Sequence, residues 1–246
     1  MSRVADRFGR AAATYESATP IQREVAGRLA GMILASGPAA EARVAEFGCG
    51  TGYLARALAA PLQPGLWVAT DLAPAMAAAA RASTPLVAVM DAARPALKPG
   101  FDLVCSSLTL QWLAEPAAAV RAWRGLARPG GRLAVATLLD GSFAEWRAAL
   151  AQAGARSVGP AFPSLEEARA WFAPDADVRT VILGERHQSA LAFLRALRAA
   201  GTDAAESGAQ ESGALGSGVM RRAMAAFDAR GAAVAYRVLL AVETVA

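Results

Sequence analysis

Apolar positions along this chain follow two alternating rhythms. In the lead, Ile21, Val25, Leu29 and Ile33 stand four residues apart, which places them on one helical face, so residues 1–38 read as a polar and then amphipathic helical segment. Gly37 and Pro38 end it. Short apolar runs then follow at 43–47, 66–70, 86–90, 101–106 and 132–137, each read as a buried strand. Between them lie helical stretches from residue 53 to near Pro61, over 74–82 with Pro74 in the first turn, and over 117–126. Pro129, Gly130 and Gly131 read as a tight turn into the fifth strand.

Repeated strand, loop and helix units with apolar strands predict an α/β fold: a doubly wound, mostly parallel sheet with both faces covered. Ligands in such sheets sit beyond the strand C-termini, near the reversal of strand order. That rule points to 48–52, Asp71, Asp91 and 106–112. Beyond residue 140 the rhythm changes, with helices expected at 142–153, 165–172, 189–200 and 219–229 and strands at 178–183 and 233–242. The polar, Gly/Ser-rich stretch 202–218 reads as a surface loop. One domain over 1–246 follows: an N-terminal lid at 1–38, a ligand-binding core at 40–140, and at 141–246 a helical cap with the strands that complete a seven-stranded sheet.

Composition narrows the class. Of 246 residues 65 are alanine, so the 55% hydrophobic content reflects small helix formers rather than greasy spans. No stretch offers the ~20 apolar residues a membrane-crossing helix needs. Asp6, Arg3, Arg7 and Arg10 stand where a signal peptide requires an apolar core, so a soluble cytoplasmic protein is expected. The net charge of +4 is spread along the chain, with Lys98 the only lysine, which gives no reason to expect a nucleic-acid partner. Cys49 and Cys105 are too few for a disulfide framework. His187, the only histidine, is expected at the surface or in the cap, and no metal is implied.

The chemistry begins at Glu46-Phe47-Gly48-Cys49-Gly50-Thr51-Gly52. Alternating glycines let the backbone turn sharply out of a strand and approach a ligand closely. A dinucleotide fingerprint would place its third glycine where this chain has Tyr53, which disfavours a nicotinamide cofactor. S-adenosylmethionine carries no phosphate, so such a loop can pack on its ribose and amino-acid part. Glu46 could then meet the methionine amino group, and Cys49 fill space beside the cofactor. Asp71 could accept both ribose hydroxyls, and Asp91 the adenine amino group, with Ala92 supplying a backbone contact. Each aspartate has a structural explanation too, Asp71 as a cap for the helix at Pro74 and Asp91 as the start of a turn.

The stretches VAEFGCGTG, VATDLAPAM, VMDAARPAL, FDLVCSSLTLQWL and LARPGGRLAVATL resemble the class I S-adenosylmethionine-dependent methyltransferases, in the same order. The flanks RFGRAAATYES, ATLLDGSFAEWRAAL, SALAFLRALRAAGT and AYRVLLAVE resemble the malonyl-acyl-carrier-protein O-methyltransferases, which start biotin synthesis. The resemblance implies a Rossmann-like fold with S-adenosylmethionine held by Glu46, Gly48, Cys49, Gly50, Gly52, Asp71, Leu72, Met76, Asp91, Ala92, Ser106 and Gln111. It implies an acceptor, malonyl-acyl carrier protein or malonyl-coenzyme A, bound by Tyr15, Gln111, Trp112 and Arg147, with Tyr15 and Arg147 also in the catalytic roles; the residues alone read equally as a helix-packing tyrosine at 15, a solvated helix arginine at 147, a core tryptophan at 112 and a turn serine at 106. A carboxylate acceptor is ionised at neutral pH and needs no strong base, in keeping with the absence of a Ser/His/Asp arrangement. Arg195, Arg198, Arg221 and Arg222 are ordinary solvated faces or a docking face for an acidic carrier. A methyltransferase acting on another small carboxylate or metabolite, and a non-catalytic cofactor-binding protein, are the alternative readings.

Overall fold

The computed structural model describes residues 3–155, 161–202 and 216–246. The lead is three helices, α1 (Arg3–Ala11), α2 (Tyr15–Ala18) and α3 (Pro20–Ala35). Thr14 ends the first by turning its hydroxyl onto the Ala11 carbonyl at 3.1 Å. Pro20 has no N–H to continue a preceding helix and therefore opens a new one. Only α3 carries the four-residue spacing, and Ile21, Val25, Leu29 and Ile33 are all buried.

Seven strands form one sheet: β1 (Arg43–Phe47), β2 (Leu66–Asp71), β3 (Leu86–Val89), β4 (Phe101–Ser107), β5 (Ala127–Leu138), β6 (Asp177–Arg186) and β7 (Ala233–Thr244). Their order is β3-β2-β1-β4-β5-β7-β6, and β7 runs antiparallel to both its neighbours while the other pairs are parallel. Helices α4 (Tyr53–Leu62), α5 (Pro74–Ala80), α6 (Pro116–Arg124), α7 (Ala144–Gln152), α8 (Leu165–Arg169), α9 (Ala190–Ala199) and α10 (Ser217–Ala229), with a short 3-10 helix (Leu110–Trp112) after β4, complete the described elements. This is the doubly wound, mostly parallel arrangement the apolar runs predict. Strand alternation divides the core in two: Val44, Leu103, Cys105 and Ala134 face the layer of α3, α4, α7 and α10, while Ala45, Phe47, Val104 and Leu133 face that of α6. On the second face the Phe47 and Trp123 rings stack 5.2 Å apart.

Four local expectations change. Pro129, Gly130 and Gly131 are not a free turn but the irregular start of β5, because Gly130 N–H donates to the Val245 carbonyl and Val245 N–H to that of Gly131. The helix expected to reach residue 172 stops at Arg169, whose guanidinium takes the Ala173 and Pro174 carbonyls. Strand β6 extends beyond its apolar run at both ends, since it pairs with β7 along its whole length through backbone bonds that the side-chain pattern does not report. Of the loop expected at 202–218, residues 203–215 lie outside the described residues, while Ser217 and Gly218 already belong to α10.

The order reverses at β1, with β2 on one side and β4 on the other. The loops after β1 and β4 therefore diverge, leaving a crevice at their C-terminal ends.

Candidate active site

A cavity of about 460 Å³ fills that crevice. Its walls come from the loops after β1, β2, β3 and β4, from α1 and α2, and from the cap. Gly48 and Gly50 form its floor with φ of +64° and +54°. At Gly48 a Cβ would stand 2.0 Å from Thr109 Oγ1, so the floor is folded too tightly for any side chain. At Gly50 a Cβ would point toward the Tyr15 ring, 3.9 Å away, and narrow the cavity.

Asp71 closes β2 beside this floor. Its Oδ2 accepts the Gly50 N–H at 2.9 Å and its Oδ1 the Ala73 N–H at 2.8 Å, so one carboxylate ties the glycine loop to the start of α5. Burial pushes its carboxyl above the ordinary range, and the backbone N–H groups of Ala73, Gly50 and Leu72 oppose that rise. Each oxygen keeps a lone pair for a diol. Asp91 lies exposed on the cavity rim, its Oδ1 accepting the Ala93 N–H at 2.9 Å. Ala92 is beside it, its carbonyl already taken by Trp123 Nε1 at 2.8 Å. Leu72 and Met76 extend the same wall.

After β4 the backbone is strained. Leu108 has φ +55°, a conformation that costs a non-glycine residue about 1–3 kcal/mol and is often found at functional sites. It is held there by its N–H to the Ala136 carbonyl and by Gln111 Nε2, which donates to its carbonyl at 2.7 Å. Gln111 Oε1 accepts from Thr137 Oγ1 at 3.3 Å, so both ends of this amide hold the wall it belongs to. Trp112 lines the cavity and meets Phe8 of α1 edge to face at 5.3 Å.

Helix α1 roofs the wall that Asp71, Leu72 and Met76 form, with Ala5 packed on Ala73 and Met76 and with Phe8 and Tyr15 beside them. Tyr15 enters the cavity. Burial, Tyr53 and the Asp71 charge push its phenol up, so the hydroxyl stays neutral and keeps its proton. Arg147 on α7 lines the opposite wall, its guanidinium 5.3 Å from the Phe162 ring. Around it the wall is aromatic: Phe143 meets Tyr236 edge to face at 4.7 Å, and Trp146 meets Phe193 at 5.6 Å. Phe143 too is left-handed, with φ +58°, and its N–H donates to the Ala235 carbonyl.

Four expected site residues are not in the cavity wall. Ser106 is buried with its hydroxyl on the Phe47 carbonyl at 2.8 Å, because strand alternation turns it away and presents Ser107 instead. Glu46 lies beneath the loop, accepting from Trp67 Nε1 at 3.0 Å. Burial pushes its pKa up to about 8, against that hydrogen bond, so it is mostly protonated near neutrality. Cys49 is a core side chain whose thiol is pushed up by burial and by Glu46, an inert filler. Gly52 begins α4 with φ +93°, and a Cβ there would meet Ser83 Oγ at 2.8 Å, outside the cavity. His187, expected at the surface or in the cap, lies in the cap with its side chain nearly buried, 5.2 Å from the Phe193 ring and 3.6 Å from Glu185. Among the described residues no group of three or more His, Cys, Asp or Glu is placed to hold a metal ion.

Sequence reasoning missed the aromatic wall. Phe143, Phe162, Phe193 and Tyr236 come from four separate segments, and no local spacing joins them. Ser107 was legible from the parity of β4.

A family model described as a methyltransferase domain matches residues 45–135. The biotin biosynthesis bifunctional protein BioCD of Bordetella avium is 39% identical over 95% of this chain and 50% of its own length, so the chain spans about half of that relative. The malonyl-[acyl-carrier protein] O-methyltransferase of Magnetococcus marinus is 33% identical over 81% of this chain and 76% of its own. Among solved structures, a chain of the complex between the Haloferax volcanii Trm112 methyltransferase activator and the putative methyltransferase superposes with a TM-score of 0.60. It is 19% identical and covers 98% of this chain and 97% of that one, a likeness of fold.

Proposed function

The chain belongs to the malonyl-[acyl-carrier protein] O-methyltransferase family, and from that membership we propose that it transfers a methyl group from S-adenosylmethionine to the free carboxylate of a malonyl thioester on acyl carrier protein or coenzyme A, at the entry to biotin synthesis. One observation carries the reading. A single cavity joins a glycine floor and the strand-end carboxylates Asp71 and Asp91 to a guanidinium, Arg147, set in an aromatic wall.

S-adenosylmethionine, when bound, supplies the electrophilic methyl group on a sulfonium. Gly48 and Gly50 leave room for its amino-acid part, Asp71 accepts the ribose hydroxyls, and Asp91 and Ala92 meet the adenine. Gln111 holds the Leu108 wall beneath it, while Leu72 and Met76 supply apolar contact. Arg147 pairs with the acceptor carboxylate and sets its direction of approach. Tyr15 donates a hydrogen bond at the reacting end, and Trp112 with Phe8 excludes water. Transfer forms an oxygen to carbon bond and breaks the carbon to sulfur bond, whose electron pair stays on sulfur. No proton moves, because a carboxylate with a reference pKa near ~4 is already ionised. Placement and dryness are what these residues contribute.

The carrier would dock on the exposed arginines of α9 and α10, Arg195, Arg198, Arg221 and Arg222, whose helices also line the cavity through Leu197 and Met220. The cytoplasm is the proposed compartment, supported by Cys49 and Cys105, both buried free thiols. No helix among the described residues is long and apolar enough to cross a membrane.

Purified protein incubated with methyl-labelled cofactor and malonyl-acyl carrier protein or malonyl-coenzyme A is expected to give a labelled methyl ester. No labelled ester on either, with cofactor binding intact by calorimetry, would overturn this acceptor.

A further inference from the structure

Tyr53 stands where a dinucleotide loop has glycine, and its side chain is put to use. Its hydroxyl lies 2.9 Å from Thr19 Oγ1 and 3.3 Å from the Glu16 carbonyl. Thr19 Oγ1 in turn donates to the Tyr15 carbonyl at 2.6 Å. The Glu16 carboxylate accepts from Arg56 Nη2 at 2.6 Å, and the Glu16 carbonyl also accepts from Arg23 Nη2 at 3.0 Å. Arg56 continues inward, donating through Nη1 to the Thr51 carbonyl at 2.7 Å and to Ser83 Oγ at 3.1 Å. The Tyr53 ring has the Arg23 and Arg56 guanidiniums 5.4 and 5.1 Å from its centre, and the Tyr15 ring 6.0 Å away.

These bonds tie the backbone of residues 15 and 16 to the first turn of α4 and to the glycine loop that floors the cavity. The Glu16 to Arg56 pair is 49% and 40% exposed, and a pair so exposed adds little stability by itself. Its value lies in direction. Resting on the reading of Tyr15 given above, we infer that Arg56 and Tyr53 are positioning residues, a latch that sets the Tyr15 hydroxyl against the reacting end of the cavity. The glycine loop and the lid then move as one unit, and cofactor seated on Gly48 and Gly50, in the loop that Arg56 holds through the Thr51 carbonyl, fixes where Tyr15 stands.

The test is steady-state methyl transfer to malonyl-acyl carrier protein by the full chain, with cofactor affinity followed by calorimetry. Misplacing a reacting group by ~1 Å can cost about 100-fold, so Arg56→Met is expected to lower kcat about tenfold and Glu16→Gln about threefold. In a Tyr15→Phe background neither change lowers kcat further, because the group they position is gone. Losses that multiply in the double variants would overturn the latch. So would Arg56→Met with weakened cofactor affinity and wild-type kcat, which would make Arg56 a support for the glycine loop alone. Full kcat in Tyr15→Phe by itself would instead refute the role of Tyr15, and the latch with it, an outcome read from the single variant. Should Arg56→Met not fold, Glu16→Gln leaves the Arg56 bonds to Thr51 and Ser83 in place and supports the same comparison.

Discussion

The wall of Gly48, Gly50, Asp71 and Asp91 and the wall of Phe143, Phe162, Phe193 and Tyr236 face one cavity of about 460 Å³, but they are made from different materials. The first is backbone and carboxylate, drawn from strand ends between residues 48 and 91, and its shape follows from where the strands stop. The second is side chain, drawn from residues 143 to 236, and its shape follows from how aromatic rings pack. A wall of backbone hydrogen bonds suits a ligand that never changes. A wall of rings can be re-cut by a few substitutions without disturbing the floor, which suits the acceptor side of the proposed reaction.

The sharpest way to break this contrast is Gly48→Ala. The left-handed φ and the 2.0 Å approach of Thr109 Oγ1 act together. A destabilisation of about 4 kcal/mol is expected from strain plus overpacking, with cofactor binding lost. Thermal melting and calorimetry check both, and a normally melting, cofactor-binding variant would refute the backbone account.

Glu46 tests the layer under that floor. Its folded pKa of about 8 lies above the unfolded reference of 4.5, so between those values the folded protein holds a proton that the unfolded chain releases. The corresponding stability is full below the unfolded pKa and is lost as pH rises through the folded one. Glu46→Gln keeps an acceptor for Trp67 and removes the titration. Denaturant melts from pH 5 to 9 should show wild type losing on the order of a few kcal/mol relative to this variant, and parallel curves would refute the raised pKa.

Asp71→Ala removes a carboxylate that holds Gly50 and Ala73 and, in the proposed reading, the ribose diol, so cofactor affinity should fall about 30-fold, near 2 kcal/mol. Arg147→Met should leave that affinity unchanged and raise KM for malonyl-acyl carrier protein about tenfold. If instead Arg147→Met weakens cofactor binding and spares the acceptor KM, the division between the two walls is wrong.

The same contrast explains what could be read from the sequence. The β1 run, the loop glycines and the aspartates at 71 and 91 are local patterns, each set by a strand and the turn that ends it, and they stand in the structure where periodicity put them. Glu46, Cys49, Gly52 and Ser106 belong to the same stretches, yet they point into the core or toward Ser83. Adjacency to a motif does not fix side-chain direction, whereas strand parity would have separated Ser106 from Ser107. The aromatic wall depends on contacts between residues distant in the chain, such as Phe143 with Tyr236, which no window along the sequence contains. Gln111 shows a third case: its place at the rim was legible, but not its engagement with Leu108 and Thr137.

Strand β7 sits between β5 and β6, and among the described residues β6 has no other partner in the sheet. During synthesis, each of β2 to β5 finds a partner strand already made, while β6 must wait, edge unpaired, until residues 233–244 leave the ribosome and insert. Tyr236 and the Ala235 carbonyl that holds Phe143 arrive with that insertion. Long-range pairing of this kind is slow and leaves strand edges open to aggregation. The glycine floor can therefore be assembled on a nascent chain whose aromatic wall does not yet exist, so in the proposed reading impaired insertion of β7 would leave a protein that binds cofactor but transfers nothing.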